Sequence, residues 1–276
     1  VKYKIERKIN MRALWTAASG MRAQQLNMDT ISNNLANVNT TGFKKQKTEF
    51  KDLLYTSMKS VSNDPELGEP VNLQIGHGVR PVATSRLFTN GNLEKTENPT
   101  DVALEGPGFF VVENPTGNPE QLFTRDGNFK FSVDGDVMTL VTSQGYTVLS
   151  TDDDVIEVES TMRNFSISEE GMVTAQDEAG EIVELGEIQI VQFINPEGLQ
   201  AMGNNFFSQT ANSGEPVIEE DESKDTKLYQ GFLETSNVQL VDEMVRMIMA
   251  QRAYEINSKS IQTADDMMQT VNSLKR

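Results

Sequence analysis

The chain has no cysteine and a single histidine in 276 residues. Without cysteine there are no disulfides, thiol nucleophiles or zinc–thiolate sites. With one histidine, His77, there is no histidine-rich metal site, and a histidine-based triad is open only if His77 is the base. Cations are scarce too: 24 Lys and Arg stand against 41 Asp and Glu, a net charge of −17. That balance argues against non-specific nucleic-acid binding, which needs Lys and Arg at the phosphates. No apolar run reaches the ~18 residues of a membrane-spanning helix. No charged n-region with an apolar h-region and cleavage site stands near the start, so export would not use the usual secretory signal.

What is present is unevenly spread. Residues 1–60 hold 11 basic and 4 acidic side chains, residues 61–227 hold 8 and 31, and residues 228–276 hold 5 and 6. The acidity therefore belongs to the middle. All nine prolines lie between Pro65 and Pro216, and no glycine follows Gly231. Proline and mid-element glycine disfavour helix, so the ends can be long helices and the middle is turn-rich.

At the N-terminal end Leu14, Met21, Met28 and Leu35 repeat on a 3/4 spacing with Met11 and Ala18. That is the heptad seam of a helix seeking a helical partner. Asn37, Asn39, Thr40 and Gly42, followed by Phe43, form a stop and turn, because Asn and Gly tolerate left-handed backbone. At the C-terminal end Leu240, Met244, Met247, Tyr254 and Ile261 repeat in the same way, with Val238, Val241, Val245 and Ile248 widening the apolar face. Roughly 40 helical residues here would span about 60 Å, with Ser236 as the cap. Gln, Asn, Ser and Asp within both seams fit residues that set register and partner number.

Between the ends the pattern has period two. Phe109–Val112, Phe129–Val133, Val137–Leu149 and Gly186–Ile194 read as strands, punctuated at Asp126-Gly127, Asp134-Gly135 and Gln144-Gly145 by hairpin-type turns. The expectation is an α+β fold. Long terminal helices form a coiled-coil-like pair, and a mostly antiparallel β domain is inserted between them. Residues 11–45 and 228–276 are the helical parts of an inner domain, 46–75 an extended arm, 76–227 the β-rich outer domain, and 1–10 an extension or artefact.

Candidate chemistry is sparse. His77, between Gly76 and Gly78, reads as an exposed loop residue with no partnered nucleophile. Thr124-Arg125-Asp126-Gly127 reads as a hairpin turn with a local ion pair. Asp152–Asp154 and Glu219–Glu222 lack the spacing of a calcium loop and read as solvated. Gly106-Pro107-Gly108 precedes a strand, not a helix, and fails as a phosphate cradle. No catalytic, cofactor-binding or metal-binding residue is assigned. The competing class, a soluble enzyme or carbohydrate-binding β protein with helical appendages, would need converging carboxylates, and no spacing supports them.

Four separated blocks resemble the rod and hook family of the bacterial flagellum. They are Met11-Arg12-Ala13-Leu14-Trp15 with Ala18-Ser19-Gly20-Met21, then Ser32–Lys44, then Leu104–Phe110 with Thr124–Phe129, and last Gly231–Val238 with Gln251–Glu255. Within that family the Ala-Leu-Trp start, Phe50–Tyr55 through Gly76–Val79, and the length lean toward the distal rod. The resemblance implies a non-enzymatic subunit without cofactor that assembles helically into the distal rod and passes torque from motor to hook. Hook or proximal rod is the alternative. The implied partners are further copies of itself, proximal rod subunits, hook or hook-junction subunits, a surrounding ring bushing and the type III export apparatus. Nucleic acid and membrane insertion are not implied. The implied location is the periplasmic rod, reached without a cleaved signal. Residues 1–10 precede the family's usual start at Met11.

Overall fold

Two proline-free segments become the long helices of the computed structural model, α1 (Lys2–Ala36) and, at the other end, α2 (Leu240–Ser273). The structure describes residues 2–59, 73–115, 117, 119, 121–219 and 225–274. α1 runs through the segment read as an extension and stops where the Asn37–Gly42 turn begins. α2 starts later than expected. Ser236 Oγ accepts the Val238 N–H at 3.3 Å in a local turn, so it does not cap the helix, which begins at Leu240. Among the described residues no helix is long and apolar enough to cross a membrane.

The chain divides into two units: residues 1–35, 46–85 and 240–276, and residues 36–45 and 86–239. The first holds both helices and two small sheets. β1 (Gln46–Asp52) pairs with β4 (Val79–Arg86), and β2 (Tyr55–Lys59) pairs with β3 (Leu73–Gly76). Parts of the expected arm thus lie in strands, while its residues 60–72 fall outside the described residues. His77 is half-buried rather than exposed, and its Nε2 lies 2.5 Å from Thr56 Oγ1.

The second unit is all β. Two short ladders open and close it: β5 (Leu93–Lys95) and β6 (Val102–Glu105) pair with strands from near its end. The main sheet is built on β7 (Phe109–Glu113), β8 (Gln121–Thr124), β9 (Phe129–Asp134), β10 (Val137–Thr142), β11 (Thr147–Val148) and β12 (Glu157–Glu159). A separate three-stranded sheet follows, β13 (Arg163–Ile167), β14 (Met172–Gln176) and β15 (Ile182–Glu187). Back in the main sheet are β16 (Ile190–Gln192), β17 (Gln200–Gly203), β18 (Phe206–Ser208) and β19 (Val217–Ile218). Finally β20 (Lys227–Gln230) pairs with β6, and β21 (Phe232–Glu234) with β5. The main sheet runs β12-β10-β11-β7-β8-β18-β17, with β9 on β10, β16 on β7 and β19 on β16. The registered ladders of this unit are antiparallel.

The period-two pattern explains the core. Successive residues of a strand point to opposite faces, so β7 feeds two clusters. Phe110 and Val112 join Leu104, Phe129, Leu140 and Leu228 on one side, and Phe109 and Val111 join Phe123, Phe193 and Phe207 on the other. The phenyl rings meet edge to face, as at Phe110–Phe129, 5.0 Å apart. Gly135, at φ 67°, makes the expected turn between β9 and β10, where Val137 pairs with Asp134. Asp126-Gly127 does not make a hairpin. β8 pairs with β7 and β18, whereas β9 pairs with β10. A Cβ at Gly127 would lie 1.7 Å from the Val102 carbonyl oxygen, so this glycine permits a tight crossing of two chain segments.

Phe110 is fully buried and Val133 is exposed. Phe110→Ala should therefore cost about 3–5 kcal/mol of unfolding free energy, and Val133→Ala less than about 0.5 kcal/mol. Urea titration followed by circular dichroism reads both.

Candidate assembly surface

The expected turn residues sit in a hydrogen-bonded knot inside the β unit. Thr40 donates its N–H to the Asn37 carbonyl and its hydroxyl to Asn37 Oδ1, each at 3.2 Å. Gly42 adopts φ +65°, and a Cβ there would stand 2.7 Å from the Asp126 nitrogen. Its N–H donates to the Glu234 carbonyl at 2.9 Å. Thr41 donates its hydroxyl to Asp126 Oδ1, and Asn205 Nδ2 donates to the Thr41 carbonyl, both at 2.8 Å. Burial pushes the Asp126 carboxyl up, while the hydrogen bonds from Thr41 and Asn128 pull it down. Phe43 is buried and Asn39 is exposed.

The next residue, Lys44, leads into a buried ionic cluster. Its Nζ donates to Glu234 Oε1 at 2.7 Å and to the Thr89 carbonyl at 2.8 Å. Arg125 NH1 reaches Glu234 Oε2 at 3.3 Å and Asn90 Oδ1 at 3.2 Å, and its NH2 donates to the Gly106 carbonyl. Gly91 N–H donates to Glu234 Oε1 at 2.7 Å. The three charged side chains are each almost completely buried. Thr124–Gly127 is thus a core corner and not a hairpin with a local ion pair: its arginine pairs 109 residues away. Burial first, and the nearby Arg125 after it, lower the Lys44 pKa to about 8 against the pull of Glu234. Burial also lowers Arg125, opposed by Glu234.

Glu219, read as solvated, is buried as well. It accepts the Thr226 N–H at 3.0 Å and a hydrogen bond from Gln192 Nε2 at 2.5 Å. The rest of that acidic run, residues 220–222, lies outside the described residues. Asp152–Asp154 are exposed. Among the described residues no cluster is placed to hold a metal ion.

In the helical unit, α1 and α2 approach through small and polar residues. Asn34 Nδ2 donates to Glu243 Oε2 at 3.1 Å. A Cβ on Gly20 would lie 2.8 Å from Asn257 Nδ2. These two contacts step back along α1 as they step forward along α2, so the helices are antiparallel. Ala17, Ala23, Ile31 and Asn34 of α1 are buried, as are Glu243, Ala250 and Ala264 of α2. The Asn34 amide also pairs with both backbone groups of Gln46, each bond 2.8 Å long. Thr30 and Thr48 hydroxyls meet at 2.8 Å, tying α1 to β1.

The large apolar seam residues lie elsewhere. Leu14, Met21, Met28, Leu35, Met247 and Ile261 are half-buried. Leu240, Met244 and Tyr254 are exposed, together with Val241, Val245, Ile248 and Ile256. α2 thus displays an apolar stripe to solvent, and α1 displays Trp15, 76% exposed. Sequence reasoning missed Lys44, Arg125 and Glu234 as a group. The available signal was that each lies within a block resembling the flagellar family.

Comparison with known proteins agrees with those blocks. A family model described as "Flagella basal body rod protein" matches residues 14–44, "Flagellar hook protein FlgE/F/G D1 domain" matches 103–175, and "Flagellar basal body rod FlgEFG protein C-terminal" matches 229–274. The "Flagellar basal-body rod protein FlgG" of Borreliella burgdorferi is 49% identical over 96% of this chain and 99% of that protein. The protein of the same name from Caulobacter vibrioides is 40% identical over 96% of this chain and 100% of its own. That of Bacillus subtilis is 36% identical with the same coverage.

Glu234→Gln would leave two buried cations without a counter-charge. Breaking a buried pair in this way typically costs about 3–5 kcal/mol, readable as a lower urea midpoint. Lys44 yields a second prediction. Its folded pKa of about 8 lies below the ordinary 10.5, so between those values the unfolded chain binds more protons. Stability from this group therefore rises with pH across that window, and its burial cost is fully in force below pH 8. Relative to Lys44→Met, the natural chain should gain stability between those pH values; a flat difference would contradict the assignment.

Proposed function

Because this chain belongs to the FlgG family of flagellar basal-body rod proteins, we propose that it is a structural subunit of the flagellar rod that polymerises helically into its distal part. Torque passes along such a shaft through many simultaneous contacts between subunits. Its neighbours are further copies of itself, proximal rod subunits on one side and hook or hook-junction subunits on the other. A ring bushing surrounds it, and the type III apparatus exports it.

The observation that carries the assembly reading is the exposed apolar stripe of α2. Leu240, Val241, Met244, Val245 and Ile248 all face solvent in the single chain. Covering a side chain of this size gains roughly 1.5–3 kcal/mol, so several per copy support strong association. The half-buried Leu14, Met21, Met28 and Leu35 of α1, with Met247, Tyr254 and Ile261 of α2, complete a coiled-coil-like seam between copies. Within one chain the small residues at Gly20 and Ala250 let the helices come close. The larger residues remain for neighbours. Asn37, Asn39, Thr40, Gly42 and Phe43 fix where the chain leaves α1.

The strongly acidic middle of the chain forms the outer wall. A like-charged, hydrated wall resists adhesion to a surrounding ring, and it also keeps the exported monomer in solution.

Leu240→Asp tests the reading. The variant should stay monomeric by sedimentation under conditions where the natural chain forms filaments, and its β unit should unfold at the unchanged urea concentration. A variant that polymerises normally would contradict the reading.

A further inference from the structure

We propose that the thioethers of Met244, Met249 and Met267 are an oxidation-sensitive modification site that decides whether a subunit can enter the polymer. The proposal rests on the assembly reading above. With no cysteine in the chain, methionine is its only sulfur. Five of the thirteen methionines fall within α2: Met244, Met247, Met249, Met267 and Met268. Three of these are open to solvent, at 49%, 65% and 49% for Met244, Met249 and Met267.

Their setting gives oxidation a consequence. Met244 lies three and four positions after Val241 and Leu240 and four before Ile248, so all share one side of the helix. Met249 follows Val245 at the same spacing, and Met267 stands four positions before Val271. These neighbours are exposed and apolar, and among the side chains on that stripe Leu, Val and Ile offer no hydrogen-bond donor.

The chemistry is a two-electron transfer. Hydrogen peroxide supplies the oxidant: its O–O bond breaks, an S–O bond forms, and the thioether becomes a sulfoxide while the peroxide is reduced to water. The new oxygen is a strong acceptor. Burying it against an apolar stripe of a second copy leaves it unpaired, which is costly. Sulfoxidation thus turns an adaptable apolar contact into a polar one. Because assembly covers the stripe, the same sulfurs become inaccessible once the subunit is incorporated. Oxidation therefore acts on free subunits and not on the finished polymer. Sulfoxide reduction restores competence.

Met202 supplies an internal control. It is 50% exposed but belongs to β17, in the β unit and not in α2.

The experiment treats purified full-length monomer and preformed polymer with hydrogen peroxide, maps sulfoxides by peptide mass spectrometry, and follows polymerisation by light scattering. Met244→Leu/Met249→Leu/Met267→Leu is run in parallel. Oxidised natural monomer should polymerise about tenfold or more slowly, and treatment with methionine sulfoxide reductases should restore its rate. The oxidised triple variant, still carrying sulfoxide at Met202, should assemble at its untreated rate. In preformed polymer the three α2 methionines should resist oxidation while Met202 does not. Normal assembly of monomer oxidised at all three positions would overturn the proposal, as would equal impairment of the oxidised triple variant. If untreated natural chain did not polymerise at all, the assembly reading itself would fall and this proposal with it, a result distinct from the other two.

Discussion

The β unit depends on one buried carboxylate. Glu234 holds Lys44 and Arg125 from opposite oxygens and accepts the Gly91 N–H as well. Lys44 comes from the segment just after α1, Arg125 from the corner between β8 and β9, and Glu234 from the last strand before α2. Their sequence separations, 190 residues for the lysine and 109 for the arginine, mean that this contact forms only when both edges of the unit are in place. Two cations around one anion is a costly arrangement: burial, and after it repulsion from Arg125, lower the Lys44 pKa against the attraction of Glu234. Replacing such a cluster by apolar side chains of similar volume is often neutral or stabilising, whereas removing one partner alone is costly. Here one carboxylate holds the segment that contains Lys44 and the corner that contains Arg125 against β21 within the β unit.

That constraint explains otherwise separate features. Gly42 must be glycine because its backbone is left-handed and pressed on Asp126. Gly91 must be glycine because a Cβ would fall 1.8 Å from the Thr235 carbonyl oxygen. Asn237 accepts the Lys45 N–H and donates to the Leu87 and Thr89 carbonyls, so a single amide stitches three segments beside the cluster. The cluster joins pieces of the β unit that are distant in sequence.

Much of the fold was legible in the sequence. Absent proline and 3/4 spacing located both helices. Period-two alternation located β7, β9 and β10, and glycine marked the β9–β10 turn. What was not legible has a physical reason in each case. Asp126-Gly127 carries hairpin chemistry, but Arg125 has a partner far along the chain, and no local pattern encodes that. Ser236 suits a helix cap, yet its hydroxyl closes a turn with Val238 and the helix begins at Leu240. The 3/4 spacing shows that a helix has an apolar side; it does not say whether that side meets its own chain or another. Within the chain, closeness is set by what Gly20 and Ala250 lack, and a stripe of large residues draws attention away from small ones.

If this chain builds part of the flagellar rod, basal bodies from a strain lacking it, viewed by electron microscopy, should carry a short rod that stops before the outer rings and bears no hook. A complete rod with a normal hook and filament would contradict it.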